Sequence, residues 1–269
     1  MRERFRSAAR RLGLLSSANF RETGMSWSEA QASVSSYANP DILSQVREAL
    51  GKVRDGEAEY ERDGVNFPEV EYSWPVLSAL LLAAAQDNGA LRVVDFGGSL
   101  GTTYFQNRNY LRRLNQVVWQ VVEQPNFVEV GKAEFENSQL SFSTILRQSL
   151  DEVEPHVVLL SSSLQYVEDP DDALRQAFSS SASHLIIDRT PFHAGEKHLL
   201  TIQTVPPSVY PAQYPAWILS RRQLGEIIPK GWQKVSEFHA LGGEDITQNL
   251  RRFCWSGMWF TKEINEWKH

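Results

Sequence analysis

Val93-Val94-Asp95-Phe96-Gly97-Gly98-Ser99-Leu100-Gly101 reads as a buried apolar strand that ends in a carboxylate and passes into a glycine-rich turn. A helix is expected to begin near Thr102. This is the pattern of the first βα unit of a nucleotide-binding α/β domain, where glycines let the backbone turn tightly against a ligand that any Cβ would push away. The glycine spacing narrows the choice. A dinucleotide fingerprint places glycines at relative positions one, three and six. Counted from Gly97, those positions hold Gly97, Ser99 and Thr102, so a nicotinamide-dependent oxidoreductase is the weakest of the readings.

The next segment, Val117-Val118-Trp119-Gln120-Val121-Val122-Glu123, has the length and β-branched content of a buried parallel strand. It ends in an acid about 20 residues beyond the turn, the separation at which a carboxylate reaches ribose hydroxyls. A strand-end acid standing alone would be a solvated charge. Two acids at consecutive strand ends, flanking a glycine loop, point instead to a bound nucleoside.

A chain of 269 residues with 42% hydrophobic residues is long enough for one α/β domain with an extra segment, and it is not a disordered chain. The net charge of −6 argues against nucleic acid as a partner. A single cysteine, Cys254, forms no internal disulfide and suits a reducing, cytoplasmic setting. No apolar run approaches the ~18 residues of a membrane span, so no stable membrane insertion is expected. Met1–Arg11 lacks the apolar core and cleavage site of a secretory signal and reads as a basic, solvated first helix.

Taken in order, residues 1–72 mix aromatic and charged residues around one clear helix, Asp41–Lys52, and read as an N-terminal helical cap; residues 73–269 form the α/β domain. Ser73-Trp74-Pro75 opens a helix with serine as its cap. Strands follow at Leu91–Asp95, Val117–Glu123, Leu140–Ile145, His156–Ser161 and His184–Asp188. Helices are expected from Thr102 to Leu114, after Pro125 to Phe135, from Asp169 to Phe178 and from Ser220 to Ile228. The stretch Arg189–Trp217, rich in proline and carrying Tyr210, Tyr214 and Trp217, reads as a long ordered loop. Strand-like segments Gly231–His239 and Arg252–Thr261 close the chain.

Asp95-x-Gly97-x-Ser99-x-Gly101 resembles motif I of the class I S-adenosylmethionine-dependent methyltransferases, D/E-x-G-x-G-x-G, with serine for the middle glycine and an extra Gly98. Together with Trp27-Ser28-Glu29-Ala30, Tyr60-Glu61-Arg62-Asp63, Trp119 to Gln124, Leu160 to Tyr166 and Arg189-Thr190-Pro191, it looks like a little-characterised bacterial methyltransferase family often encoded among surface-polysaccharide genes. The likeness runs from about Trp27 to Trp217. It implies a Rossmann-like α/β sheet of seven strands, the last antiparallel, with helices on both faces. It implies S-adenosylmethionine as cofactor and S-adenosylhomocysteine as product. Asp95 and the turn Gly97, Gly98, Ser99 and Gly101 would hold the methionine half, Glu123 the ribose hydroxyls and Gln124 the adenosine. Ser161 and Ser162 would lie by the methionine amine or the sulfonium.

Methyl transfer to a hydroxyl needs the acceptor held in line and benefits from a general base. Base candidates belong at strand carboxyl ends. Tyr166, Asp188, Arg189 and His193 meet that condition, with His193 the first choice because imidazole titrates near neutral pH, and His198 a weaker one. Gln165 and Tyr166 suit orientation of a polar acceptor, and Arg62, Arg189 or Lys197 suit pairing with a phosphate. No metal-ligand spacing is present. The expected activity is O-methylation of a sugar or glycan-precursor hydroxyl in surface-polysaccharide assembly. The alternative is a non-catalytic methyltransferase-like module that scaffolds a glycan-assembly partner. The sequence leaves the oligomeric state open.

Overall fold

The computed structural model describes residues 19–34, 40–205, 212–241, 246–248 and 251–262. Met1–Arg11, Tyr37 and Tyr210 lie outside the described residues. The N-terminal segment carries β1 (Asn19–Glu22), α1 (Trp27–Ala32), α2 (Pro40–Asp55) and a hairpin of β2 (Tyr60–Arg62) and β3 (Val65–Phe67). Then come α3 (Trp74–Gln86), β4 (Ala90–Phe96), α4 (Thr102–Leu111), β5 (Gln116–Val122), α5 (Pro125–Val130) with a π-turn over Gly131–Phe135, and β6 (Leu140–Ser143). The central portion continues with α6 (Leu146–Val153), β7 (Val157–Ser161), a 3-10 turn over Leu164–Tyr166, α7 (Pro170–Ser179) and β8 (His184–His193). The chain ends with β9 (Leu199–Thr204), β10 (Gln213–Ser220), α8 (Arg221–Ile227), β11 (Trp232–His239), β12 (Ile246–Gln248) and β13 (Arg251–Lys262).

The fold is mixed α/β around a mostly parallel sheet. Strands β6, β5, β4, β7 and β8 lie side by side, all parallel. Beyond β8 the sheet continues into β13, antiparallel, and then β11; these seven strands, the last in sequence antiparallel, belong to a larger sheet of eleven strands among the described residues rather than the seven expected. Because β-strand side chains alternate between faces, the parallel strands supply two cores. Val93, Trp119, Val121, Leu159 and Ile186 pack with Ile42, Leu50 and Leu80 on one face. Val94, Val158, Leu160, Leu185 and Ile187 pack with Leu150, Leu174 and Leu224 on the other. Asp95, Glu123, Ser161 and Asp188 share the parity of the first set. One face therefore collects every acid at the carboxyl ends of β4, β5 and β8, and it is the face covered by α2, α3 and α4.

Two features depart from the sequence reading. Arg189–Trp217 is mostly strand rather than loop: β8 runs on to His193, and β9 and β10 form an antiparallel pair that β1 extends. Phe192 is in register with Leu219 of β10 on one side and with Cys254 of β13 on the other, so β10 takes the edge that β7 vacates after Ser161. The sheet forks there, and the turn Leu164–Tyr166 fills the fork. Strands hidden in a proline-rich run were illegible because β10 tolerates Pro215 at a pairing position, where proline signals a loop. The N-terminal segment is likewise not purely helical. Its β1 joins the main sheet, and Trp27 stacks on Trp217 with ring centroids 5.9 Å apart.

Helix starts divide between those with and without a side-chain cap. Asp169 and Ser220 accept from the third residue of α7 and α8, as N-caps do. Ser73 makes no side-chain cap to α3, contrary to expectation. Among the described residues no helix is long and apolar enough to cross a membrane.

At the amino end of β8, buried His184 bonds Gln86 Oε1 through Nε2 at 2.8 Å and accepts from the Trp259 indole N–H through Nδ1 at 3.2 Å. Desolvation, and then the charge of His156, push its pKa from the ordinary 6.5 down to about 4. The unfolded chain thus binds the proton first, and the contribution of His184 to stability falls as pH drops from 6.5 towards 4. The stability advantage of wild type over His184→Gln in urea unfolding is expected to shrink across that window by about 1 kcal/mol or more; an unchanged gap would mean that this imidazole titrates normally.

Candidate active site

The glycine turn is shaped around a buried carboxyl. Asp95 is fully buried and its Oδ2 accepts from Trp119 Nε1 at 3.1 Å. The loop folds back over it so closely that a Cβ on Gly98 would lie 2.6 Å from the Asp95 Cγ. Gly97, at φ +72°, donates its N–H to the Val122 carbonyl at 2.8 Å, and a Cβ there would lie 2.3 Å from the Ser163 Cβ. Ser99 adopts φ 57°, the left-handed region where the expected glycine would sit without strain. Gly101, at φ +97°, is the residue that hands the chain to α4. Asp95 Oδ1 has no hydrogen-bond partner. Burial, opposed by the Trp119 bond, pushes the carboxyl up to about 7. Asp95 therefore shapes the loop from beneath, rather than facing the crevice as the sequence reading supposed.

Glu123 does face it. The Gln124 N–H donates to Glu123 Oε2 at 2.6 Å, and burial raises the carboxyl to about 7 against this bond and one from the Ser99 backbone. A cavity of about 310 Å³ opens beside it, within the range of small-molecule sites. Phe96, Val122, Pro125 and Val167 line it with apolar surface; Gln124, Thr144, Ser162 and Ser163 supply polar atoms, and Gly97 forms part of its wall. Ser163 Oγ is buried without a hydrogen-bond partner. The sequence reading assigns no site role to Ser163 or Thr144. The strained turn after β7, with Ser162 at φ 58°, turns Ser162 and Ser163 to the cavity, while Ser161 stays beneath, 3.5 Å from Asp188 Oδ2.

A second group of polar side chains lies beyond the cavity. Opposite Gly257, two residues of β8, Asp188 and Arg189, stand against one of β13, between the Thr190–Ser256 and Ile187–Met258 pairs. That β-bulge puts Arg189 at φ 47°; bulges of this kind re-aim side chains next to sites. Gln165, fully buried, donates through Nε2 to Ser162 Oγ and to the Arg189 carbonyl, each at 3.2 Å. The β2–β3 hairpin closes over the group. Buried Glu61 accepts from Thr102 Oγ1 and from the Gly64 N–H, each at 2.7 Å, and so ties the hairpin to the first turn of α4. Burial, opposed by those two bonds, raises Glu61 to about 7. Glu61 was not singled out from sequence, since an acid next to a turn looks solvated until its partners are known. Arg62, on the same strand, is buried with Phe67 under its guanidinium.

His193 is not placed to act as a base. Its Nδ1 accepts from the Gly195 N–H at 3.1 Å and its Nε2 bonds the Lys197 carbonyl at 3.0 Å, so both ring nitrogens are spent on closing the β8–β9 turn. His198 is similarly held, by Asp171 at 2.9 Å and the Ser220 N–H at 2.8 Å. Lys197 is exposed on that same turn. Tyr166 lines the cavity and donates to Gln203 Oε1 at 3.1 Å. Asp188 has an oxygen, Oδ1, with no hydrogen-bond partner, and burial, opposed first by Arg189, raises its pKa.

No protein-family profile matches the chain, and no curated protein does. Solved structures resemble it loosely. The N-terminal domain of EvdMO1, determined in the presence of SAH and D-fucose, is 13% identical over 84% of this chain and 97% of its own, with a TM-score of 0.49. The 1,6-didemethyltoxoflavin-N1-methyltransferase of Burkholderia thailandensis is 12% identical over 91% and 96%, with a TM-score of 0.43. The magnesium protoporphyrin IX methyltransferase ChlM of Synechocystis PCC 6803 is 15% identical over 84% and 100%, with a TM-score of 0.40.

Asp95 carries a testable sign. Its pKa rises on folding from 3.8 to about 7, so its stabilising contribution is complete below 3.8 and is lost as pH rises through 7. Asn keeps the shape and never ionises. Relative to wild type, Asp95→Asn is expected to gain about 1 kcal/mol or more in urea unfolding between about pH 5 and about pH 8. A loss of stability growing with pH would show the carboxylate to be needed in charged form.

Proposed function

We propose that this protein is an S-adenosylmethionine-dependent methyltransferase that O-methylates a sugar or glycan-precursor hydroxyl in surface-polysaccharide assembly, in a cytoplasmic setting. The observation that carries the reading is Glu123: a carboxylate at the end of the second parallel strand, facing a cavity of about 310 Å³ with one oxygen capped by its own backbone turn. The residues present fit the cofactor. A carboxylate suits a ribose diol, the apolar wall of Phe96, Val122, Pro125 and Val167 suits an adenine face, and Gln124, Thr144 and Ser163 suit its polar edge. The cradle of Gly97 and Gly98 is one that a Cβ would fill. When bound, the cofactor supplies an electrophilic methyl group.

The chain's own residues do the rest. Gly97 to Gly101 shape the wall, with Asp95 and Trp119 holding the loop from below. Tyr166 and Gln165 orient the acceptor. Asp188 Oδ1, rather than His193, takes the hydroxyl proton; a raised pKa suits a carboxylate to that task near neutral pH. The hairpin carrying Glu61 and Arg62 covers the site and keeps water from it, the role foreseen for an N-terminal cap.

Calorimetric titration with S-adenosylhomocysteine is expected to give tight binding that weakens by about 100-fold or more in Glu123→Ala, since two hydroxyl bonds to a charged group are lost. Retained affinity in that variant, or no binding by folded wild type, would refute the cofactor assignment. Mass spectrometry of glycan precursors from cells with and without the protein is expected to differ by a methyl group, and identical precursors would remove the acceptor class.

A further inference from the structure

Beyond the cofactor cavity, unspent hydrogen-bonding groups gather in one place. Arg62 Nη1, Arg189 Nε, Asp188 Oδ1 and Gln165 Oε1 are all buried with no hydrogen-bond partner. Arg62 is 7% exposed, Asp188 4% and Gln165 0%, so water does not serve them freely, and a buried polar group left unpaired is destabilising. They form a single group: both guanidiniums lie near enough to Asp188 to favour its charged form, and the Arg189 carbonyl holds Gln165. Each arginine has a carboxylate only at ion-pair range, Glu71 at 3.8 Å from Arg62 and Asp63 at 3.6 Å from Arg189. Asp63 stands at the tip of the hairpin, and its side chain is 52% exposed.

The unspent set is two cationic donors beside two acceptors. A neutral polyol would satisfy the oxygens of Asp188 and Gln165 through its hydroxyls and leave two buried guanidinium N–H groups without a strong acceptor. A simple anion would satisfy the arginines and leave the oxygens unmet. We infer that the acceptor is a polyhydroxylated molecule that bears a negative group, a carboxylate or a phosphate, held by Arg62 and Arg189 while its hydroxyls meet Asp188 and Gln165. This deepens the reading of the site as one for a sugar hydroxyl and rests on it for the acceptor's kind. Asp63 stands in for the ligand's charge: it occupies Arg189 from the solvent side and yields when the anionic group arrives.

The test is calorimetric titration of the full chain, saturated with S-adenosylhomocysteine, with D-glucuronate, glucose 1-phosphate and glucose. One or both acidic sugars are expected to bind at least about tenfold more tightly than glucose, as charge-assisted hydrogen bonds imply, and the two acidic probes distinguish a carboxylate from a phosphate. Arg62→Met and Arg189→Gln are expected to abolish the preference. Asp63→Asn, at an exposed position and so safe for folding, is expected to tighten binding of the acidic sugars severalfold by removing the competing carboxylate. Equal affinity for glucose, no measurable binding of either acidic sugar, or no response to Asp63→Asn would overturn the inference. Failure to bind S-adenosylhomocysteine would instead refute the cofactor reading, and the anionic preference would then be read on the unsaturated protein.

Discussion

A carboxyl group buried beneath a loop that has no side chain to spare governs the architecture of this site. Asp95 sits at the end of β4 with an indole N–H on one oxygen and the Gly98 backbone close against its carboxyl group. Desolvating a carboxyl is costly unless hydrogen bonds compensate, and here one bond compensates in part, so the group is drawn towards its neutral form. The loop cannot relax away, because Gly97 is bonded to Val122 and abuts Ser163. The strand end, the loop and the turn after β7 are consequently packed into one unit, and the cavity beside Glu123 takes its wall from it.

The second constraint is the forked sheet. At the end of β7 the pairing changes hands, and β8 continues between antiparallel β13 and parallel β10. The bulge at Asp188 and Arg189 falls where the strand leaves one partner for another, and Gly257 opposite accommodates it: a Cβ there would meet the Ile187 carbonyl at 2.9 Å and the Phe238 ring closer still. Among the described residues, four of the six non-glycine residues with positive φ, namely Asp63, Ser99, Ser162 and Arg189, border the cavity or the polar group beyond it. Such conformations cost of the order of 1–3 kcal/mol each and persist where surrounding contacts over-determine them. Here those contacts are the Glu61 bonds to Thr102 and Gly64, the Gln165 bonds and the strand pairing on both sides of β8.

Much of this was legible residue by residue. Runs such as Val93-Val94 and Val121-Val122 can only be buried strands, and acids placed directly after them must lie at strand ends. The late strands and most helices followed from ordinary periodicity. The cavity-lining residues Gly97, Glu123, Gln124 and Ser162 stand out in the sequence because they adjoin elements with strong local signatures. Glu61, Trp119 and Ser163 do not, because each has a neighbour far off in the chain: Thr102 for Glu61, Asp95 for Trp119 and Gly97 for Ser163. His193 is a different case: its partners Gly195 and Lys197 are close in sequence, and an imidazole at a strand end looks available until the turn after β8 folds them back onto it.

The sequence by itself determined the strands of the parallel core and the placing of the acids at their carboxyl ends, since short runs of β-branched residues between helical stretches leave little choice. Tertiary structure alone decided which of those acids faces the cavity and which is walled in, where β8 departs from β7, and which polar atoms end without partners. Those outcomes depend on distances between segments far apart in the chain, and side-chain alternation carries no record of them: a bulge of one residue redirects Asp188 and Arg189 without changing a letter of the pattern around them.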